Sequence, residues 1–357
     1  MSEQFTPVST VGEFGLIDRL MARVKGDDEP SELVVCGSGD DAAVYRATEG
    51  RLQVITTDAL IEGVHFDRRF TPMSYLGIKV IAASVSDIAA MNARPRVATI
   101  ALGIPRNVSL EMLESLYDGI ALACKTYGVQ LVGGDTTSSR ALSMSVTIIG
   151  EAAAEDLVFR RGANVGDLLC VTGDLGASYA GLQILAEQRK ALEELGEEYE
   201  PDLEPHRYVI DRHLKPEARL DFVDILEELR VRPSAMIDIS DGLASELNHI
   251  CTQSGVGATV QVSNLPFDPV TRAVADQFMQ DVDMYAFFGG EDYELLFAAH
   301  PDDAQKVAHA GHCVIIGRVE EKSVGVRALS ADGQIIPLDG SGGGGFDHFG
   351  GDGAPDP

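Results

Sequence analysis

The sequence predicts an α/β (α+β) protein of two domains. Apolar, β-branched runs alternate with helical patterns along its whole length. At 357 residues the chain is too long for one ordinary core and long enough for two. With 45% hydrophobic and 24% charged residues, the composition is that of a globular chain rather than a disordered one.

In the first half, Leu52–Thr56, Val97–Leu102, Val129–Val132 and Met144–Ile149 read as strands. Between them Leu110, Leu113, Leu116, Ile120, Cys124 and Tyr127 recur at helical spacing. Ser109 suits the N-cap of that helix, Glu111 and Glu114 its first turn, and Gly128 its stop. A break near Glu151–Asp156 separates an N-terminal domain, 1–151, from a C-terminal α/β domain, 152–349. In the second half Leu168–Thr172 and Ala235–Ile239 read as strands, followed by helices that start near Gly176 and Ser240. Leu192–Pro205 is dense in Glu and Pro and reads as an exposed acidic connection. The glycine run 340–345 is a flexible link; Phe346 and Phe349 beyond it are expected to fold back onto the protein, and 350–357 to form a disordered tail.

Charge excludes one class of partner. The chain carries 56 acidic against 28 basic residues, a net charge of −28, which repels nucleic-acid phosphates. An anionic substrate would need metal ions to approach it. The first twenty residues lack a basic start followed by an apolar run, and no stretch reads as a membrane span of ~18 apolar residues. The five cysteines are scattered and mostly inside apolar runs, so they read as reduced core residues. The expected setting is the cytoplasm, away from membranes.

Acidic residues carry the chemical information. Six segments join an acid to small residues: 37–41 (GSGDD), 56–58 (TTD), 86–87 (SD), 133–136 (GGDT), 238–242 (DISDG) and 289–292 (GGED). Each reads as a turn at the end of a short apolar strand. A single such Asp is commonly a helix cap or turn residue. Six are more than capping requires, and carboxylates that converge repel unless cations lie between them. Carboxylates with Thr and Ser hydroxyls suit Mg2+. The neighbouring glycines let backbone N–H groups approach an anion, and the helix opened by 240–242 presents an N-terminus to phosphate. Neither a G-x-x-x-x-G-K-[ST] loop nor a H-R-D/D-F-G set is present.

The ordered segments GEFGLI (12–17), GSGDDAAV (37–44), TTDALIEGVHF (56–66), SDIAAM (86–91), GGDTT (133–137), RRGANVGD (160–167), IDISDGL (237–243) and GGEDYELLF (289–297) resemble thiamine-monophosphate kinase. GGDT is shared across the wider superfamily of aminoimidazole ribonucleotide synthetase, whereas TTD-x-L-x-x-G-V-H-F with GGEDYEL points to the thiamine enzyme. The resemblance covers roughly residues 12–349. It implies a homodimer whose N-terminal domains pair across their sheets and carry the ATP and metal sites, with ATP lying between the domains of each chain. It implies transfer of phosphate from ATP to thiamine monophosphate, giving thiamine diphosphate. Carried over, Asp41, Thr56, Thr57, Asp58, Asp87, Asp135, Asp238 and Asp241 would hold several Mg2+ ions. Gly134, Asp135, Arg160 and Ser240 would contact ATP. His65, Glu291 and Phe346 would hold thiamine monophosphate, and Asp58, Asp135 and Arg160 would carry catalysis. Phe346 replaces a Tyr or Trp common in the family, Arg161 beside Arg160 offers a second candidate for the phosphate, and nothing in the resemblance accounts for 192–205.

The acceptor oxygen of an ionised phosphate needs no strong base and no protein nucleophile. It needs alignment and relief of repulsion between two anions. The rival readings are another ATP-using enzyme of the superfamily, such as selenophosphate synthetase, and a non-catalytic Mg2+- or nucleotide-binding regulator. The first would be expected to show Cys and Lys in the N-terminal Gly-rich segment, where Gly12–Gly15 has neither. The second could have lost several of the acids retained here.

Overall fold

The computed structural model describes residues 6, 10, 12–25, 33–36, 44–196 and 201–338. The chain divides into two compact units, one running through Ile88 and resuming over Ala93–Glu155, the other taking Ala89–Asn92 and the chain from Asp156. Asp41, Phe346, Phe349 and the tail 350–357 lie outside the described residues.

The first unit contains α1 (Gly12–Lys25), β1 (Val34–Cys36), β2 (Val44–Tyr45), β3 (Leu52–Ile61), α2 (Met73–Ala90), β4 (Arg94–Ile104), α3 (Leu110–Tyr127), β5 (Gln130–Ser138) and β6 (Ser143–Ala152). Its four-stranded sheet has the order β3-β6-β4-β5, antiparallel except for the parallel β4–β5 pair. Helix α3 starts and stops as its sequence predicts. Ser109 Oγ accepts from Met112 N at 3.3 Å, and Gly128 turns left-handed at φ +67° while its N–H reaches Cys124 O. Arg19 and Arg23 of α1 pair with the mostly buried Glu114 of α3, Arg23 at 2.7 Å.

Helix α2 escapes pattern reading because it is apolar nearly all round. It is long and apolar enough to cross a membrane by composition, with a mean hydropathy of 1.3, yet 78% of it is buried inside the protein. A helix without a polar face belongs in a core. Here Ile88 meets Gly150 of β6, and Gly77 crosses α3 at Gly119. A Cβ at Gly119 would lie 1.8 Å from Ser74 O, and one at Gly77 would lie 2.1 Å from Leu116 O. The two backbones touch, so neither position has room for a methyl group.

The second unit adds β7 (Leu168–Val171), α4 (Ala177–Leu195), α5 (Arg207–Leu214), α6 (Leu220–Leu229), β8 (Ala235–Asp238), α7 (Leu243–Ser254), β9 (Gly257–Gln261), α8 (Pro269–Gln277), α9 (Val282–Phe288), β10 (Leu295–Ala299), α10 (Pro301–His309), β11 (Val314–Glu320), β12 (Val326–Leu329) and β13 (Ile335–Pro337). Its seven-stranded sheet runs β13-β12-β9-β11-β7-β10-β8. Alternation sends Leu169, Val171, Ile237 and Leu296 to one face, against Leu243, Leu247 and Ile250 of α7. Cys170, Met236, Leu295 and Phe297 go to the other, against Phe222 of α6 and Val307 of α10. The sheet is covered on both sides, which is why its strands read as continuous apolar runs.

Four of the six acid segments are placed differently from the strand-end turns predicted for them. Thr56–Asp58 and Gly133–Thr136 lie within β3 and β5, since the β-branched threonines carry each strand onward. Asp87 lies in the last turn of α2. Segment 238–242 does connect strand to helix, whereas 289–292 follows α9 and leads into β10. Segment 37–41 is outside the described residues. The acidic connection begins as helix, since α4 continues to Leu195.

Gly119→Ala should cost about 1–3 kcal/mol of stability, as overpacking in a backbone contact does. Chemical denaturation of the variant checks this, and an unchanged midpoint would show that α2 and α3 can separate freely.

Candidate active site

In the first unit, Thr56, Asp58 and Leu60 share the inner face of β3. Thr56 Oγ1 donates to Asp87 Oδ2 at 2.5 Å. Asp58 is close enough to Asp87 for its carboxyl to be raised above the ordinary range, by burial first and by the negative charge of Asp87 second. Asp58 Oδ2 is buried and makes no hydrogen bond of good geometry, although the Ser84 hydroxyl lies near enough to draw the carboxyl back down. Two adjacent carboxylates with an orphaned oxygen fit a cation site.

The same alternation turns Thr57 to the opposite, solvent-facing side, where its Oγ1 donates to Val146 O at 3.1 Å and accepts from Thr147 Oγ1 at 3.0 Å. Registers across the sheet align Asp58, Val146, Ile100 and Gly134 in one row and Ala59, Ser145, Ala101 and Asp135 in the next. Asp135 therefore faces the open side, three inter-strand steps or roughly 14 Å from β3. Within one chain no single ion can touch both Asp58 and Asp135. Gly134 has a packing reason of its own, because a Cβ there would lie 1.9 Å from Ile100 O, whereas Gly133 has open space. His65 follows β3 on a tight turn, with its N–H bonded to Ile61 O at 2.9 Å. Its Nδ1 accepts from Ile61 N at 3.1 Å, which places the proton of the neutral ring on Nε2.

In the second unit, β8–β10 pairing brings segment 238–242 against 289–294. Glu291 N donates to Ser240 O at 2.7 Å, and Tyr293 N to Ile239 O at 2.9 Å. Asp238 closes β8 almost fully buried, and Ser240 and Asp241 are half-exposed. The 289–294 loop is tightly wound, with Gly290, Glu291 and Tyr293 at φ +69°, +57° and +52°. Asp292 is buried and caps α4, accepting from Gly176 N at 2.7 Å; burial pushes its carboxyl up to about 7.

Sequence reading missed Glu246. This residue, 2% exposed, accepts from Asp241 N at 3.0 Å, so the chain's own carboxylate takes a donor expected to serve phosphate. Burial, and then the charge of Asp241, push Glu246 up to about 7, while Arg160 draws it back. Arg160 is thus the arginine whose charge reaches this loop; Arg161 lies over the Phe159 ring at 5.4 Å. An acid in the first turn reaching back toward the cap was the available signal.

Among the described residues no three His, Cys, Asp or Glu side chains converge as a ready-made metal site. Asp58 and Asp87 come together in the first unit, Asp238, Ser240, Asp241 and Glu291 in the second, and Thr57 and Asp135 stand apart from the Asp58–Asp87 pair.

Residues 39–152 match the N-terminal domain model of AIR synthase related proteins and 164–329 the C-terminal one. Thiamine-monophosphate kinase of Aquifex aeolicus (strain VF5) is 36% identical over 311 residues, spanning 87% of this chain and 92% of that protein. The chain belongs to the thiamine-monophosphate kinase family. A solved member of the family from Stenotrophomonas maltophilia K279a superposes with a TM-score of 0.75 at 33% identity, covering 89% of this chain and 96% of that one. A second, described as AaThiL complexed with AMPPCP and TMP, gives 0.73 at 32% identity over 97% of this chain and 100% of that one.

Glu246 has a measurable signature. An acid that titrates near 4.5 when unfolded and near 7 when folded favours folding while protonated, and stability falls as pH rises between those values. In chelator, the native chain should lose up to roughly 3 kcal/mol from this group between pH 4.5 and 7. Glu246→Gln should flatten that part of the stability curve, read as Tm against pH; an unaltered slope would mean that Glu246 is ionised throughout.

Proposed function

We propose that this chain transfers the γ-phosphoryl group of ATP to the phosphate of thiamine monophosphate, forming thiamine diphosphate and ADP, the last step in making that cofactor. The observation that carries the reading is the 32–36% identity to thiamine-monophosphate kinases over most of the chain. The binding of AMPPCP, an ATP analogue, and TMP by the solved relative supports both substrates.

Mg2+ fits the residues present, with Asp58 and Asp87 as ligands beside Thr56, and Asp41, Thr57, Asp135, Asp238 and Asp241 as the further ligands that the resemblance implies. When bound, it would neutralise phosphate charge and the mutual repulsion of the carboxylates. Arg160 supplies a planar fork of donors to phosphate, and Gly134, Asp135 and Ser240 are the further ATP contacts that the resemblance implies. His65 presents Nε2–H to the substrate phosphate and is a binding group rather than a base. Glu291 pairs with the amine or cationic ring of thiamine, and Phe346 stacks on it. The acceptor is already an oxyanion, so the transfer is direct and in line, with no phospho-enzyme.

We also infer a homodimer in the cytoplasm, independent of nucleic acid and membrane. Its support is the open face of the four-stranded sheet. In the rows from Thr57 to Ile61 the outward residues other than Asp135, among them Thr57, Ala59, Thr99, Ala101, Ser145 and Thr147, are small or β-branched and uncharged. Ile55 and Ile61 on that face are 68% and 40% exposed. A second copy laid on this face can bring Asp135 to the partner's β3, which no rearrangement within a rigid sheet can do.

Incubation with ATP, Mg2+ and thiamine monophosphate should release ADP, and omission of thiamine monophosphate should abolish it. ADP release that ignores the acceptor would overturn the reading.

Asp58→Asn and Asp135→Asn should each lower kcat by at least about 100-fold with the fold intact. Near-normal turnover by either variant at saturating Mg2+ would overturn the metal assignment.

A further inference from the structure

The phosphoryl-transfer reading leaves His213 unused. This residue lies near the end of α5 and is 5% exposed. Its Nδ1 is 3.4 Å from Glu291 Oε2 and 3.2 Å from Ser178 Oγ in the first turn of α4. An ionised carboxylate only accepts, so this contact assigns the proton to Nδ1, with Ser178 as its second acceptor.

Glu291 has reason to need such a partner. At φ +57° it occupies the left-handed region, unfavourable for a residue with a side chain, so its loop relaxes unless surrounding contacts hold it. Segment 207–219 holds it at both ends. His213 meets Glu291 at the start, and Arg212 and Arg219 grip Glu294 at 3.1 and 2.8 Å just before β10. The approach depends on Gly181 of α4, where a Cβ would lie 2.1 Å from Val209 O and 3.1 Å from His213 Cβ.

We propose that His213 is a positioning residue that presents the Glu291 carboxylate to the cationic or amine-bearing rings of the substrate and so sets the affinity for them. This rests on the assignment of Glu291 to thiamine monophosphate made above.

The test compares His213→Ala, His213→Asn, Glu291→Gln and the double variant His213→Ala/Glu291→Gln, measuring KM for each substrate, kcat and Tm. His213→Ala should raise KM for thiamine monophosphate about ten-fold and leave that for ATP within about two-fold. The amide nitrogen of Asn can stand in for Nδ1, so His213→Asn should recover most of the loss. In the Glu291→Gln background, His213→Ala should add nearly nothing, because the two act as one unit. Parallel rises in both KM values, or a double variant whose effect is the product of the singles, would overturn the positioning role. If Glu291→Gln leaves KM for thiamine monophosphate unchanged, the assignment of Glu291 fails first. If Glu291→Gln raises it and His213→Ala does not, positioning alone fails.

Discussion

Like charges held together are the constraint on which the catalytic reading rests. Asp58 and Asp87 come from a strand and a helix that pack for apolar reasons, and packing places two carboxylates side by side in a half-buried setting. An uncompensated pair of this kind costs stability, and the raised Asp58 carboxyl expresses that cost. The surface as a whole is acidic, so phosphate substrates face the same repulsion at longer range. A divalent cation bound as proposed would relieve both problems at once. Stability without metal and affinity for metal would then be opposed.

The second unit meets a different requirement, that of holding backbone where it would not stay by itself. Left-handed residues in 289–294 are clasped between the 238–242 segment and the charged residues of 207–219. Glycines at 242 and 290 admit this, since a Cβ at either would lie 2.6 Å from a neighbouring carbonyl oxygen. The buried polar groups here have specific partners, with Glu294 gripped by two arginines and Thr172 and Asp292 placed on a helix start. Such networks favour one geometry, because a half-satisfied version is costly.

Much of this was legible in the sequence. Helix α3 announced its caps, the principal strands announced themselves by β-branched runs, and the order of acidic motifs led to the family. What remained hidden has physical reasons. Helix α2 carries no polar face and so no helical period. Strand β3 runs through Thr56–Asp58 because two adjacent threonines extend as readily as they turn, and the expectation of a turn there concealed the opposite facing of Thr57 and Asp58. The separation of Asp58 from Asp135 depends on strand order, which no local pattern records. Glu246 and His213 act through partners at residues 241 and 291, and only the fold shows that the histidine reaches its own.

The close contact of α4 and α5 at Gly181 also bears on how the molecule can be modified. The contact fixes where both helices lie, so the chain from Gly196 to the start of α5 at Arg207 joins two ends that packing has already placed. Doubling the length of such a connection costs only about 0.6 kcal/mol in closure entropy. Pro201 and Asp202, exposed ahead of α5, are therefore a place to graft a peptide tag, a fluorophore or a surface tether, leaving the glutamate loop as it was.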